Sequence, residues 1–163
     1  MTSRSLNGWP VIPSRADKRL KTGTVPGLSL RLTCHKDALP VLLAVAAEVH
    51  ERVHSLTRNN SAGQDEGGYT YREAGISAGY SNHASGTAID LNWRMWPMFK
   101  DAMTAKQKTA CKLIERDFSP VVAWGGSWTR KDQMHWEIRK GVTAAALQAW
   151  TRQHIGPDGR LKK

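Results

Sequence analysis

Three short stretches in which apolar and polar side chains alternate, at residues 69–72, 88–92 and 134–138, restrict this chain's fold more than any other feature of its sequence. A two-residue period sends successive side chains to opposite faces of a strand, so each stretch predicts a strand with one buried and one wet face. In the first, Tyr69 and Tyr71 are expected on one face, with Thr70 and Arg72 on the other. In the second, Ile89 and Leu91 point inward while Asp90 and Asn92 share the polar face. In the third, Met134, Trp136 and Ile138 oppose His135 and Glu137. A fourth, wholly apolar run over 121–124 follows Pro120 and is turned by Gly125-Gly126.

Helical spacing fills the intervals. Leu42, Val45, Ala46, Val49, Val53 and Leu56 recur as one stripe and predict a long amphipathic helix over 37–56. Thr104 is placed to cap a helix carrying Ala110, Cys111, Ile114 and Phe118 on one face. A closing helix is expected over 143–155, stopped by Gly156-Pro157. Helices and strands do not alternate as βαβ units, so the expected class is α+β, a small antiparallel sheet with helices packed on one face. Residues 58–68, rich in Asn, Ser and Gly, predict a loop. Residues 1–21 are basic and broken by Pro10 and Pro13, which reads as an extended arm and not a core element, one that wraps the domain or frays, and 157–163 as a short basic tail. With 163 residues, 40% of them hydrophobic, and no internal repeat, the whole chain is expected to be one catalytic domain and a monomer.

Lys and Arg number 24 against 14 Asp and Glu, a formal charge of +10 that favours polyanionic partners. Nucleic acid and the anionic bacterial envelope both qualify; the basic residues, however, are spread without zinc-finger or RNA-motif spacing. No run approaches the roughly 18 apolar residues of a membrane span. Residues 1–13 also lack the apolar core of a signal peptide, which predicts synthesis in a cytoplasm. Cys34 and Cys111 are far apart and outside any CxxC pair, so free structural thiols are expected.

The chemistry concentrates on the predicted polar faces. His83 and Asp90 stand seven apart, and the faces of two strands let them converge with His135. Three such ligands make an open site for one zinc ion, whose fourth position takes a water of lowered pKa. Asp132, three residues before His135, is the candidate general base. Glu137 shares the His135 face and competes for that role, although a carboxylate so placed more often orients a ligand. Arg72 is suited to clamp a substrate carboxylate or an oxyanion, or else to pair with Glu73 or Asp65 at the surface. Of seven tryptophans, Trp93, Trp96 and Trp128 lie near these segments and are candidate cleft walls. His50-Glu51-Arg52-Val53-His54 matches the helical H-E-x-x-H zinc motif, but no downstream third ligand accompanies it. The pair is therefore read as histidines flanking a core helix.

Ser81-Asn82-His83-Ala84-Ser85-Gly86-Thr87-Ala88-Ile89-Asp90 and Asp132-Gln133-Met134-His135-Trp136-Glu137 together resemble the two motifs of the zinc D-alanyl-D-alanine carboxypeptidases and L-alanyl-D-glutamate endopeptidases. Many phage endolysins belong to that family, whose fold is shared with hedgehog-like domains. Trp124-Gly125-Gly126 is similar to family members, Tyr71-Arg72 more weakly, and Asn7-Gly8-Trp9-Pro10 is similar to openings of actinobacteriophage lysins. The chain departs from phage relatives at Gln133, often acidic there, and at Trp136, often Phe. The resemblance implies that His83, Asp90 and His135 bind Zn2+, that Asp132 serves as base and then acid, and that Arg72 stabilises the anionic intermediate. Ser81 would support the first ligand by hydrogen bonding. The implied function is hydrolysis of amide bonds in the peptidoglycan stem peptide by a phage endolysin, made in the host cytoplasm and released onto the wall, with anionic wall polymers as partners and no nucleic acid. The alternatives are a non-catalytic zinc module of the same fold that binds a wall peptide, and a basic nucleic-acid-binding protein.

Overall fold

The structure, a computed structural model, describes residues 3–56, 63–75 and 79–162. These residues form an α+β fold, with three helices and two small antiparallel sheets among them where one sheet was expected. Strands β1 (Leu20–Thr24) and β2 (Arg31–His35) form a hairpin. Strands β3 (Ala88–Asp90), β4 (Val122–Trp124) and β5 (His135–Ile138) form the second sheet, with β5 in the centre. Among the described residues, no helix is long and apolar enough to cross a membrane.

Helix α1 (Leu39–Arg52) carries Pro40 in its first turn, where the missing N–H would have had no partner in the helix, and buries Val41, Leu42, Ala44, Val45, Ala46, Ala47 and Val49. It is shorter than the stripe predicted. The chain leaves the helix after Arg52, and the Leu56 N–H donates to His50 Nδ1 (3.0 Å) instead of continuing the ladder. Helix α2 (Ala105–Asp117) opens with a reciprocal capping box between Thr104 and Gln107, and α3 (Ala144–His154) is capped by Thr143. α1 packs on the hairpin and on α2, and α2 packs on β4. One continuous apolar cluster runs from Trp9 and Val25 through α1 to Trp96, Trp124, Trp136 and Trp150. Cys34 and Cys111 are free and buried, with both thiols pushed up to about 12 by burial.

Three further expectations change. Residues 69–72 make no strand ladder: the Tyr69 N–H donates to Thr33 O, the Thr70 N–H donates to His83 O, and Arg72 O accepts the Ser81 N–H, single bonds to β2 and to the segment around His83. Tyr69 is buried with its hydroxyl on Ile12 O, while Tyr71 is exposed and stacks on Tyr80, so the two tyrosines do not share a face. The N-terminal segment wraps the domain, one of the two courses expected of it, but it also supplies core: Trp9, Val11 and Ile12 are buried, and its last residues enter β1. Asn92 lies beyond β3 at positive φ and is buried, so it does not share a strand face with Asp90. The loop expected over 58–68 falls partly outside the described residues.

Candidate metal centre

Antiparallel pairing of β3 with β5 sets Asp90 directly opposite His135. Side chains directly opposite on one face stand about 5 Å apart at Cβ, so the register alone brings this carboxylate to this imidazole. His83 arrives from a single 3-10 turn, Asn82–Ser85, just ahead of β3. Ser81 Oγ accepts the His83 N–H at its start, and Gly86 closes it in the left-handed conformation. A Cβ on Gly86 would lie 2.5 Å from His35 N, so glycine is required both by φ and by the closeness of β2.

The three side chains meet. His83 Nε2 is 3.2 Å from Asp90 Oδ2 and 3.3 Å from His135 Nδ1, and His135 Nδ1 is 2.9 Å from Asp90 Oδ1. Donors held about 2.0 to 2.1 Å from a tetrahedral zinc ion stand about 3.3 Å from each other, so these separations fit one ion with little movement. The far ring nitrogens are both committed. His83 Nδ1 donates to Gly68 O (2.7 Å), and His135 Nε2 donates to Glu137 Oε2 (2.8 Å), which leaves His83 Nε2 and His135 Nδ1 to face the centre. A Cβ on Gly68 would collide with Thr33 O, so only glycine brings that carbonyl against β2 and under His83. Among the described residues, His83, Asp90 and His135 are the one group of His, Cys, Asp or Glu side chains so gathered.

Electrostatics follow from burial. His135 is pulled down by desolvation, but the Asp90 and Glu137 carboxylates outweigh this and raise it to about 10. Asp90, itself desolvated, is held well below the usual carboxylate range by His83 and His135. Asp132 is pushed up, chiefly by desolvation, and its Oδ1 is buried without a hydrogen-bond partner. Its backbone is fixed by the Asp132 N–H donating to Gly125 O (3.1 Å) and by its own carbonyl accepting from His135 N (3.1 Å). A Cβ on Gly125 would collide with Asp132 O, which accounts for the first glycine of Gly125-Gly126. An acid kept buried, unsatisfied and within electrostatic reach of all three gathered side chains is the kind of local conflict that marks a working site.

Glu137 accepts from His135 and from Asn82 Nδ2 (2.6 Å) through the same Oε2, on the side of the imidazole away from the centre. That is an orienting position. Asn82, which the sequence reading passed over between Ser81 and His83, also accepts the Asn7 N–H (2.8 Å) through Oδ1. The N-terminal segment is thereby tied to the far side of His135. Trp128 is about one-third exposed, its ring 5.4 Å from that of His135, and forms a wall. Trp93 lines the adjoining cleft, whereas Trp96 is buried in the core. Arg72 also lines this cleft of about 290 Å³, and the pairing with Glu73 or Asp65 that the sequence allowed does not form. His50 and His54 serve structure. His50 accepts from Leu56 N, and His54 sits edge-on against Trp96.

A family model described as D-alanyl-D-alanine carboxypeptidase matches residues 74–138, under half of the chain but including His83, Asp90, Asp132 and His135. The family is zinc-dependent, and Arg72 lies just outside the matched span. Searches of curated proteins and of solved structures returned no match.

Proposed function

We propose that this protein is a zinc peptidase that hydrolyses an amide bond of the peptidoglycan stem peptide. The carrying observation is the convergence of two correctly presented imidazoles and a carboxylate beside the orphaned Asp132 carboxylate, within the matched span. His83 Nε2, an Asp90 oxygen and His135 Nδ1 would hold the ion. Bound there, zinc supplies a Lewis acid and lowers the pKa of water toward 7.

The chain's own residues divide the remaining work. Asp132, raised above an ordinary aspartate, accepts the proton of the attacking water and returns it to the departing amine. Arg72 offers a guanidinium to the substrate carboxylate or to the oxyanion formed on attack. Glu137 and Asn82 keep the His135 ring in one orientation, and Ser81 keeps the His83 turn closed. Trp128 shields one side of the centre. A purely binding zinc module has no use for a buried acid with an unsatisfied oxygen, which favours turnover over recognition alone.

The same reading extends to a phage endolysin, synthesised in the host cytoplasm and acting on the wall, to which a charge of +10 attracts it. Mass analysis of purified peptidoglycan after digestion tests the assignment. His83→Ala and Asp132→Asn should each lose about 10²- to 10⁴-fold in rate, with His50→Ala close to the parent. Digestion that survives the first two substitutions and disappears in the third would move the active centre to the helix.

A further inference from the structure

The cleft beside the gathered histidines is lined by three arginines, Arg15, Arg31 and Arg72, which come from the N-terminal segment, β2 and the stretch after Gly68. None of the three guanidiniums has a hydrogen-bond or ion-pair partner among the described residues, whereas Arg19, Arg52, Arg139 and Arg160 are each tied to a carboxylate. Three like charges around one opening repel each other, and no hydrogen-bonded carboxylate among the described residues neutralises any of them. Surface arginines so crowded are explained by a ligand that separates them. Of the two acids in the lining, Glu66 is buried in the wall and hydrogen-bonds none of the three arginines, and Asp90 is engaged by both imidazoles.

Arg72 is assigned above to the reacting end of the substrate, which leaves Arg15 and Arg31 without a role. Arg31 opens β2, two residues before Thr33, whose carbonyl fixes Tyr69. Arg15 and Tyr69 line the same cleft. Tyr69 lies between Gly68, which holds His83, and Thr70, which bonds the His83 carbonyl. Arg31 is therefore mounted on a strand hydrogen-bonded to the stretch that holds His83, and Arg15 reaches the same cleft from the N-terminal segment.

We infer that Arg15 and Arg31 form a carboxylate subsite, so that the substrate is an acidic peptide bearing a free carboxylate in addition to the group that Arg72 meets. This rests on the peptidase reading. A guanidinium grips a carboxylate through paired N–H donors but has no equivalent grip on a carboxamide, so the subsite discriminates between them.

The test uses two synthetic stem peptides identical except that the free α-carboxylate of the γ-linked glutamate is a carboxamide in one. For the zinc-loaded parent, kcat/KM should favour the carboxylate peptide by about tenfold or more, carried mainly by KM. In Arg15→Gln/Arg31→Gln that ratio should fall to near one, with zinc content and melting temperature as in the parent. Calorimetric binding of the same two peptides to the metal-free parent should show the same preference. A ratio that persists in the double variant, or a parent that treats the two peptides alike, overturns the subsite. A parent that cleaves neither peptide but still binds the carboxylate form more tightly upholds the subsite and refutes the peptidase.

Discussion

At the scale of single residues, His135 decides how the centre responds to pH. Its two ring nitrogens face two carboxylates, Asp90 at 2.9 Å and Glu137 at 2.8 Å, and without metal it holds both protons up to about pH 10. A pKa raised above the ordinary value of about 6.5 stabilises the metal-free fold fully below that pH and is lost as pH climbs toward 10. Metal binding has the opposite sign, because the ion must displace the proton on Nδ1. Zinc uptake at neutral pH should therefore release about one proton, and affinity should rise about tenfold per pH unit through the neutral range. Calorimetric titration in buffers of different ionisation enthalpy measures the proton directly. Uptake with no proton released would remove His135 from the ligand set.

At the scale of elements, the centre depends on one turn and one strand register. The Gly86 conformation, φ 69°, ends the turn that presents His83, and a Cβ there would also press on His35 N. Gly141 shares the positive φ, 84°, but has open space around it. Gly141→Ala should lose only the conformational part, about 1 kcal/mol, whereas Gly86→Ala should lose more stability than that and weaken zinc binding by about tenfold or more. Paired denaturation and zinc-affinity measurements check this, and equal effects at the two glycines would show that the turn does not govern His83. The same elements show what was legible beforehand. Strands β3, β4 and β5 announce themselves by alternation or by an apolar run, so the convergence of Asp90 with His135 was readable from residue order. The β1–β2 hairpin was not. Lys21, Thr22 and Thr24 leave no apolar period, and Gly23 looks like a loop residue, although its missing side chain admits Leu43 of α1. Residues 69–72 carry the alternation without the strand, because their hydrogen bonds go to β2 and to the His83 turn instead of to a neighbouring ladder. Arg15 and Arg31 gave no local signal, since an unpaired charge is visible only once the fold has assigned partners to the others.

At the scale of the whole molecule, the question is what a charge of +10 does on a chain whose site holds its own charges in buried pairs. Within the site, Asp90, His83, His135 and Glu137 are at hydrogen-bond distance and largely desolvated, so dissolved ions screen them little. The exposed cations, Arg15, Arg31 and Arg72 among them, act through solvent over a screening length of about 8 Å at physiological salt and about 3 Å at 1 M. Two kinds of measurement should therefore separate. Turnover of a short peptide samples only the cleft, and its rate should fall modestly with salt through the three arginines. Lysis of intact wall samples the field of the whole surface against anionic polymers, and should fall several times more steeply between 0.05 and 0.5 M salt, about tenfold or more. If the two decline in parallel, the surface charge contributes nothing beyond the cleft. If lysis is indifferent to salt while peptide turnover declines, attraction to the wall is not what the excess of lysine and arginine is for, and the basic surface must answer to another polyanion.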